Sequence, residues 1–141
     1  MDAFAVTFDP PIPAAKRQHR TRPKWPSIYA AAEAACIPEL DPGFKVAGRT
    51  FGYYPAHVSG VLADLLGAAD IISRRVDHSI GLCGYTVLLV EFREGRVWFR
   101  DPAGASLHGG KPVGGGLDPD EVEETLRRAA DAVWELVLPK G

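Results

Sequence analysis

The sequence predicts an α+β domain with an antiparallel sheet, in which a central hairpin over residues 83–100 packs against two or three helices. Three observations carry this. Two β-rich runs are joined through Glu94-Gly95, an apolar face repeats at helical spacing from Val58 to Leu66, and an amphipathic segment opens at Asp118-Pro119. The length agrees, since 141 residues fit one domain, and a chain of this size buries roughly two thirds of its unfolded surface without needing disulfides or a structural metal.

Taken in order, Phe4, Val6 and Phe8 alternate with Ala3, Ala5 and Thr7, the pattern of a half-buried strand closed by Pro10-Pro11. Lys16 to Lys24 is basic, free of acids and bracketed by prolines, which reads as an extended surface segment. Residues 1–26 are thus expected to form a strand and a basic Pro-rich arm, and residues 27–141 a single α+β domain. Ser27 caps an Ala-rich helix over Ile28 to Cys36, with Pro38 stopping it soon after.

The next helix is expected to open at Pro55, a favoured first-turn residue. Val58, Val61, Leu62, Leu65 and Leu66 form its apolar face, Gly67 supplies a stop, and Ile71-Ile72 suggest a strand. With Glu94-Gly95 as a turn, Arg93 faces Arg96 in the following hairpin. Phe92/Val97 and Val90/Phe99 then pair toward the core, while Glu91/Trp98 and Leu89/Arg100 pair on the other face.

A glycine-rich loop runs from Asp101 to Leu117. Asp118, Pro119 and Glu121 then give a capping box, followed by a buried face of Val122, Leu126, Ala129, Ala130, Val133 and Val137. Glu123/Arg127 and Glu124/Arg128 are helix-supporting pairs.

Composition excludes several function classes. The net charge is −2, too weak to draw the whole chain to nucleic acid or anionic lipid. That total divides unevenly: residues 1–26 hold five basic and two acidic residues, +3, and the remainder eleven and sixteen, −5. Val87 to Val90 is the longest aliphatic run, far short of the ~20 residues of a membrane span. With no export signal visible, a cytoplasmic location is expected. There is no Asn and one Gln, Gln18, so side-chain amides contribute almost nothing to chemistry.

Most reactive constellations are incomplete. Gly109-Gly110-Lys111 lacks the Ser or Thr of a phosphate loop, because Pro112 follows, and no helix starts behind the lysine. His78 and Cys83 lack the paired spacings of a zinc site, and His57 with Asp64 reads as a solvated pair, so no metal or other cofactor is implied. Asp77 with Glu91-Phe92-Arg93 loosely imitates a magnesium-binding acid pattern. That pattern expects Lys where Arg93 stands, and a guanidinium does not perform an amine's proton chemistry. Glu91 also has a structural task in pairing diagonally with Arg100.

One family resemblance covers about residues 50–139. Gly52 precedes a helix over Pro55–Leu66, Gly67 and an Ile71-Ile72 strand follow, and Gly84 to Val90 forms a long apolar strand. A tight turn leads to Arg96-Val97-Trp98-Phe99-Arg100-Asp101-Pro102-Ala103-Gly104, and an acidic helix ends in Val137-Leu138-Pro139. This order resembles the second half of papain-like cysteine peptidases of the bacteriocin-leader-processing type. The resemblance implies a His at the head of the apolar strand and an orienting Asp in an Asp-Pro, which Asp101-Pro102 matches. Tyr85 or Thr86 stands where the family has its His, and the nearest His is His78. The family's nucleophile opens a helix, whereas Cys36 ends one and Ser27 stands at the start. The resemblance therefore implies a degenerate site, with Cys36 and Cys83 as small buried hydrophobes.

The resulting expectation is a non-catalytic domain that binds a protein or peptide, acidic in character, through Arg17, His19, Arg20, Arg22, Lys24 and Trp25. It extends to an immunity or accessory protein of a bacterial conflict or peptide-maturation system, a context no residue pattern specifies. Nucleic acid is disfavoured because the rest of the chain is acidic, and a membrane partner is not expected. Packing of the basic segment against the chain's own acidic remainder is the simpler use of it. The alternative is a cysteine-dependent hydrolase or transferase using Cys36 or Cys83, with His78 as base and Asp101 as orienter. A structural subunit associating through Trp25 or Trp134 is a third class, and the oligomeric state stays open.

Overall fold

The computed structural model describes residues 3–18, 30, 32–37, 39–53, 55–82, 88–101 and 111–137. Nine strands and two long helices follow in chain order among these residues. Strands β1 (Phe4–Phe8), β2 (Glu39–Leu40), β3 (Pro42–Val46), β4 (Arg49–Phe51) and β5 (Ala56–His57) precede helix α1 (Val58–Arg74). Strands β6 (His78–Leu82), β7 (Leu88–Arg93), β8 (Arg96–Asp101) and β9 (Lys111–Pro112) come next, and helix α2 (Pro119–Val137) closes the order. Every strand pairing is antiparallel, and the protein is α+β. The strands divide into three sheets, in the orders β1-β3-β4, β2-β5 and β6-β7-β8-β9.

The hairpin has the expected register, with Arg93 opposite Arg96, Phe92 opposite Val97 and Val90 opposite Phe99. Glu94 and Gly95 both take positive φ, 54° and 75°, the paired left-handed geometry that matches the twist of the flanking strands. Val90, Phe92, Val97 and Phe99 are buried, so this face joins the core as the alternation requires. Phe4 of β1 stacks on Phe99 of β8 with ring centroids 4.5 Å apart, tying the three-stranded sheet to the four-stranded one. Phe4 and Phe8 thus belong to the same core as Phe44, Leu62, Leu65, Ile72 and Leu126.

Helix α1 departs from its expected bounds at both ends. Its start moves from Pro55 to Val58, because Ala56 and His57 pair with Leu40 and Glu39 before the helix begins. It then continues through Gly67 to Arg74, and Ile71-Ile72 is helix rather than strand. The physical reason is the apolar face, which Ala68, Ala69 and Ile72 extend for two more turns. Gly67 serves packing instead: a Cβ there would stand 3.2 Å from Ile80 Cδ1 of β6.

The helix stops at Arg75, which takes a left-handed conformation, φ 55°, and donates its N–H to Ile72 O while Val76 N–H reaches Ile71 O. These crossed bonds satisfy the last carbonyls, a role usually given to glycine. The same arrangement ends a helical stretch that includes residues 32–34, where Cys36 N–H bonds Glu33 O and Ile37 N–H bonds Ala32 O.

Helix α2 follows its sequence signature. Asp118 Oδ2 accepts from Glu121 N–H at 3.2 Å, and Val122, Leu126, Ala130, Val133 and Val137 are buried. Trp134 is half-buried against the core rather than exposed. Helices α1 and α2 pack on each other, and Arg127 links them by holding Glu123 at 2.9 Å and Asp70 at 3.4 Å. No helix among the described residues is long and apolar enough to cross a membrane.

Candidate functional site

Of the residues of the hydrolase alternative, His78 and Asp101 lie apart. His78 opens β6 opposite Phe92, which in turn faces Val97, while Asp101 closes β8 four residues beyond Val97. With strands about 4.8 Å apart and rising about 3.3 Å per residue, their Cα atoms lie on the order of 16 Å apart. Asp101 instead accepts from Arg49 Nη2 at 2.7 Å, clamping the β3–β4 hairpin to the end of β8. Its side chain is only 15% exposed there.

Cys36 is exposed with a free thiol, not buried as the sequence suggests, and takes the left-handed conformation, φ 58°, that ends the helical stretch. Cys83 lies outside the described residues, as do Tyr85, Thr86 and the glycine-rich stretch 102–110. Among the described residues, no three His, Cys, Asp or Glu side chains come together as a metal site.

His57 has a local task that sequence spacing did not reveal. It caps α1, its Nδ1 accepting from Ser59 N–H at 3.1 Å and lying 2.8 Å from Ser59 Oγ. Ser59 is buried beneath it. The pair closes the first turn of a helix that has no acidic residue there.

Of the expected partner-binding residues, Arg17 is described, and His19, Arg20, Arg22, Lys24 and Trp25 lie outside the described residues. The arm is attached through its backbone. Lys16 N–H donates to Glu135 Oε2 at 2.8 Å, and Arg17 N–H reaches the same oxygen at 3.5 Å. Lys16 and Arg17 are themselves exposed. The acidic remainder therefore does meet the arm, but Glu135 holds its peptide groups rather than those two cationic heads.

A second cationic surface covers the outer side of the hairpin. Glu91 Oε1 lies 3.3 Å from Arg93 Nε and 3.4 Å from Arg100 Nη2, so one carboxylate is shared by two guanidinium groups. Trp98 Nε1 donates to Arg93 O at 3.3 Å, and the Arg93 guanidinium sits 5.6 Å from the ring centroid. The chain at Gly116 lies so close that a Cβ there would be 3.0 Å from Trp98 Cζ2. Arg96 is exposed and makes no ion pair among the described residues. Sequence pairing located these side chains and gave Glu91 and Arg100 a structural pairing. The signal it passed over was Arg93 directly opposite Arg96, since like charges across a strand pair are destabilising.

No protein-family model, curated protein or solved structure matches the chain.

Proposed function

We propose that this protein is a non-catalytic cytoplasmic domain that binds an acidic protein or peptide, built on a degenerate papain-like arrangement. An immunity or accessory role in a bacterial conflict or peptide-maturation system is the context proposed with it. The observation that carries the binding reading is the arm: Glu135 fixes the backbone at Lys16 and Arg17 while both residues stay exposed. Tethering by the peptide groups leaves the charges of Lys16 and Arg17 available, and a tethered segment loses less freedom on binding than a fully flexible one. The separation of His78 from Asp101, and the engagement of Asp101 by Arg49, supports the non-catalytic part.

The test is titration of a labelled octaglutamate peptide, followed by fluorescence anisotropy, against the wild type and a variant carrying Arg17→Ala, Arg20→Ala and Arg22→Ala. The reading expects binding by the wild type that weakens with added salt, and a loss of about tenfold or more in the triple variant. Equal affinity for both proteins would remove the arm as the binding element. Activity of a hydrolase or transferase kind that disappears in Cys36→Ala or Cys83→Ala would replace the reading with the enzymatic one.

A further inference from the structure

We propose that the turn end of the β7–β8 hairpin is a separate carboxylate-binding surface, in which Arg93 and Arg96 together receive an acidic side chain of the partner peptide. The proposal rests on the acidic-partner reading for the class of ligand and adds a site that the arm does not include.

Three guanidinium groups, Arg93, Arg96 and Arg100, lie on the outer face of this hairpin beside Glu91. Both of Glu91's ion pairs are long for charge-assisted bonds, 3.3 and 3.4 Å, against the usual 2.7–2.9 Å. Arg100 is largely covered, 17% exposed, whereas Arg93 is 46% exposed and Arg96 is exposed beside it. Arg93 and Arg96 are directly paired in the register, a position at which opposite charges stabilise a hairpin and like charges oppose it. Glu94, in the turn between them, forms no ion pair with either. The repulsion has no local compensation at Arg96, and an incoming carboxylate supplies it. Proteins that otherwise obey such local rules break them at functional sites.

The geometry favours a carboxylate over a nucleic-acid strand. Sequence-tolerant binding of single strands needs an open aromatic face on which bases stack. Trp98, the aromatic ring of this surface, is already contacted by the Gly116 backbone and by Arg93, with its N–H directed to Arg93 O. The −5 charge of residues 27–141 also opposes a long polyanion more than a short acidic segment.

Arg96→Glu provides a test that a purely structural arginine would not pass. The substitution replaces a like-charge cross-strand pair by an opposite one, so the thermal midpoint is expected to rise by about 1–3 °C. Octaglutamate affinity, by contrast, is expected to fall about tenfold or more. Arg74→Glu, the same charge change at the exposed end of α1, is expected to shift that affinity by no more than about twofold. An equal loss in Arg74→Glu, or unchanged affinity in Arg96→Glu, would overturn the proposal. Tighter binding of a single-stranded oligothymidylate, lost in the same variant, would overturn it in favour of nucleic acid. If the triple arm variant loses affinity and Arg96→Glu does not, the hairpin site alone fails. If neither loses it, the acidic-partner reading fails with it.

Discussion

The β7–β8 hairpin and the β3–β4 hairpin are both two-strand units closed by two left-handed residues, yet they are held in opposite ways. In β7–β8 the strands are apolar and β-branched on one side, and the side chains alone explain the pairing. In β3–β4 the first strand begins Pro42-Gly43, and the turn is Ala47-Gly48, with φ 50° and 81°. Neither residue at the start of β3 favours a strand. Tyr53 compensates by lying over Gly43, where a Cβ would stand 2.6 Å from its ring, and its hydroxyl meets Thr7 Oγ1 at 3.0 Å. An aromatic ring supplies the packing that glycine lacks. Pro42 and Gly43 pair with Phe8 and Thr7 of β1 rather than with β4, so one hairpin stands on its own two strands while the first strand of the other runs on into a third, where Tyr53 covers it.

The largest expected effect comes from breaking the seam between their sheets. Phe99→Ala removes a ring that is 1% exposed and stacked on Phe4, and is expected to cost about 3–5 kcal/mol in urea unfolding. A loss below about 1 kcal/mol would mean the two sheets do not share one core.

A glycine comparison separates the hairpins. Gly52 has φ +118°, and a Cβ there would meet Pro42 O at 2.6 Å. Gly95 has φ +75° with open space around it. Gly52→Ala is therefore expected to cost about 2–4 kcal/mol, from overpacking and conformation together, and Gly95→Ala about 1 kcal/mol, from conformation alone. Equal losses would show that the backbone contact with β3 does not matter.

The smallest effect lies where β5 turns into α1. His57→Ala is expected to lower stability by about 1 kcal/mol by leaving Ser59 N–H uncapped, and His57→Asn to restore most of it. Failure of Asn to rescue would point to packing of the imidazole rather than capping.

The same contrast explains what was legible in the sequence. The β7–β8 register could be read residue by residue because alternation, a Glu-Gly turn and strand propensity agree. Residues 39–57 carried no such agreement, and none of their strands was foreseen. The absence of Asn is a physical reason for this. Among the described residues, the left-handed positions outside glycine fall on Cys36, Ala47, Arg75 and Glu94, and none of these residue types advertises a turn as Asn does. The overrun of α1 past Gly67 follows its continued apolar face, and its stop at Arg75 is a residue type that does not announce one.

For the candidate surfaces, the basic arm was visible as a run of charge. Its anchoring by Glu135 was not, because that contact joins backbone amides to a side chain 119 residues away. The Arg93–Arg96 juxtaposition was readable from the register, where it served only to set the pairing of the hairpin.

The most direct test of the acidic-partner reading is titration of octaglutamate into isotope-labelled protein, followed by amide and indole NMR shifts. The account expects saturable changes at Lys16–Gln18, at Arg93–Arg96 and at the Trp98 indole N–H, whose acceptor is Arg93 O. Changes confined to the surroundings of His78 and Asp101, with both basic surfaces silent, would contradict it.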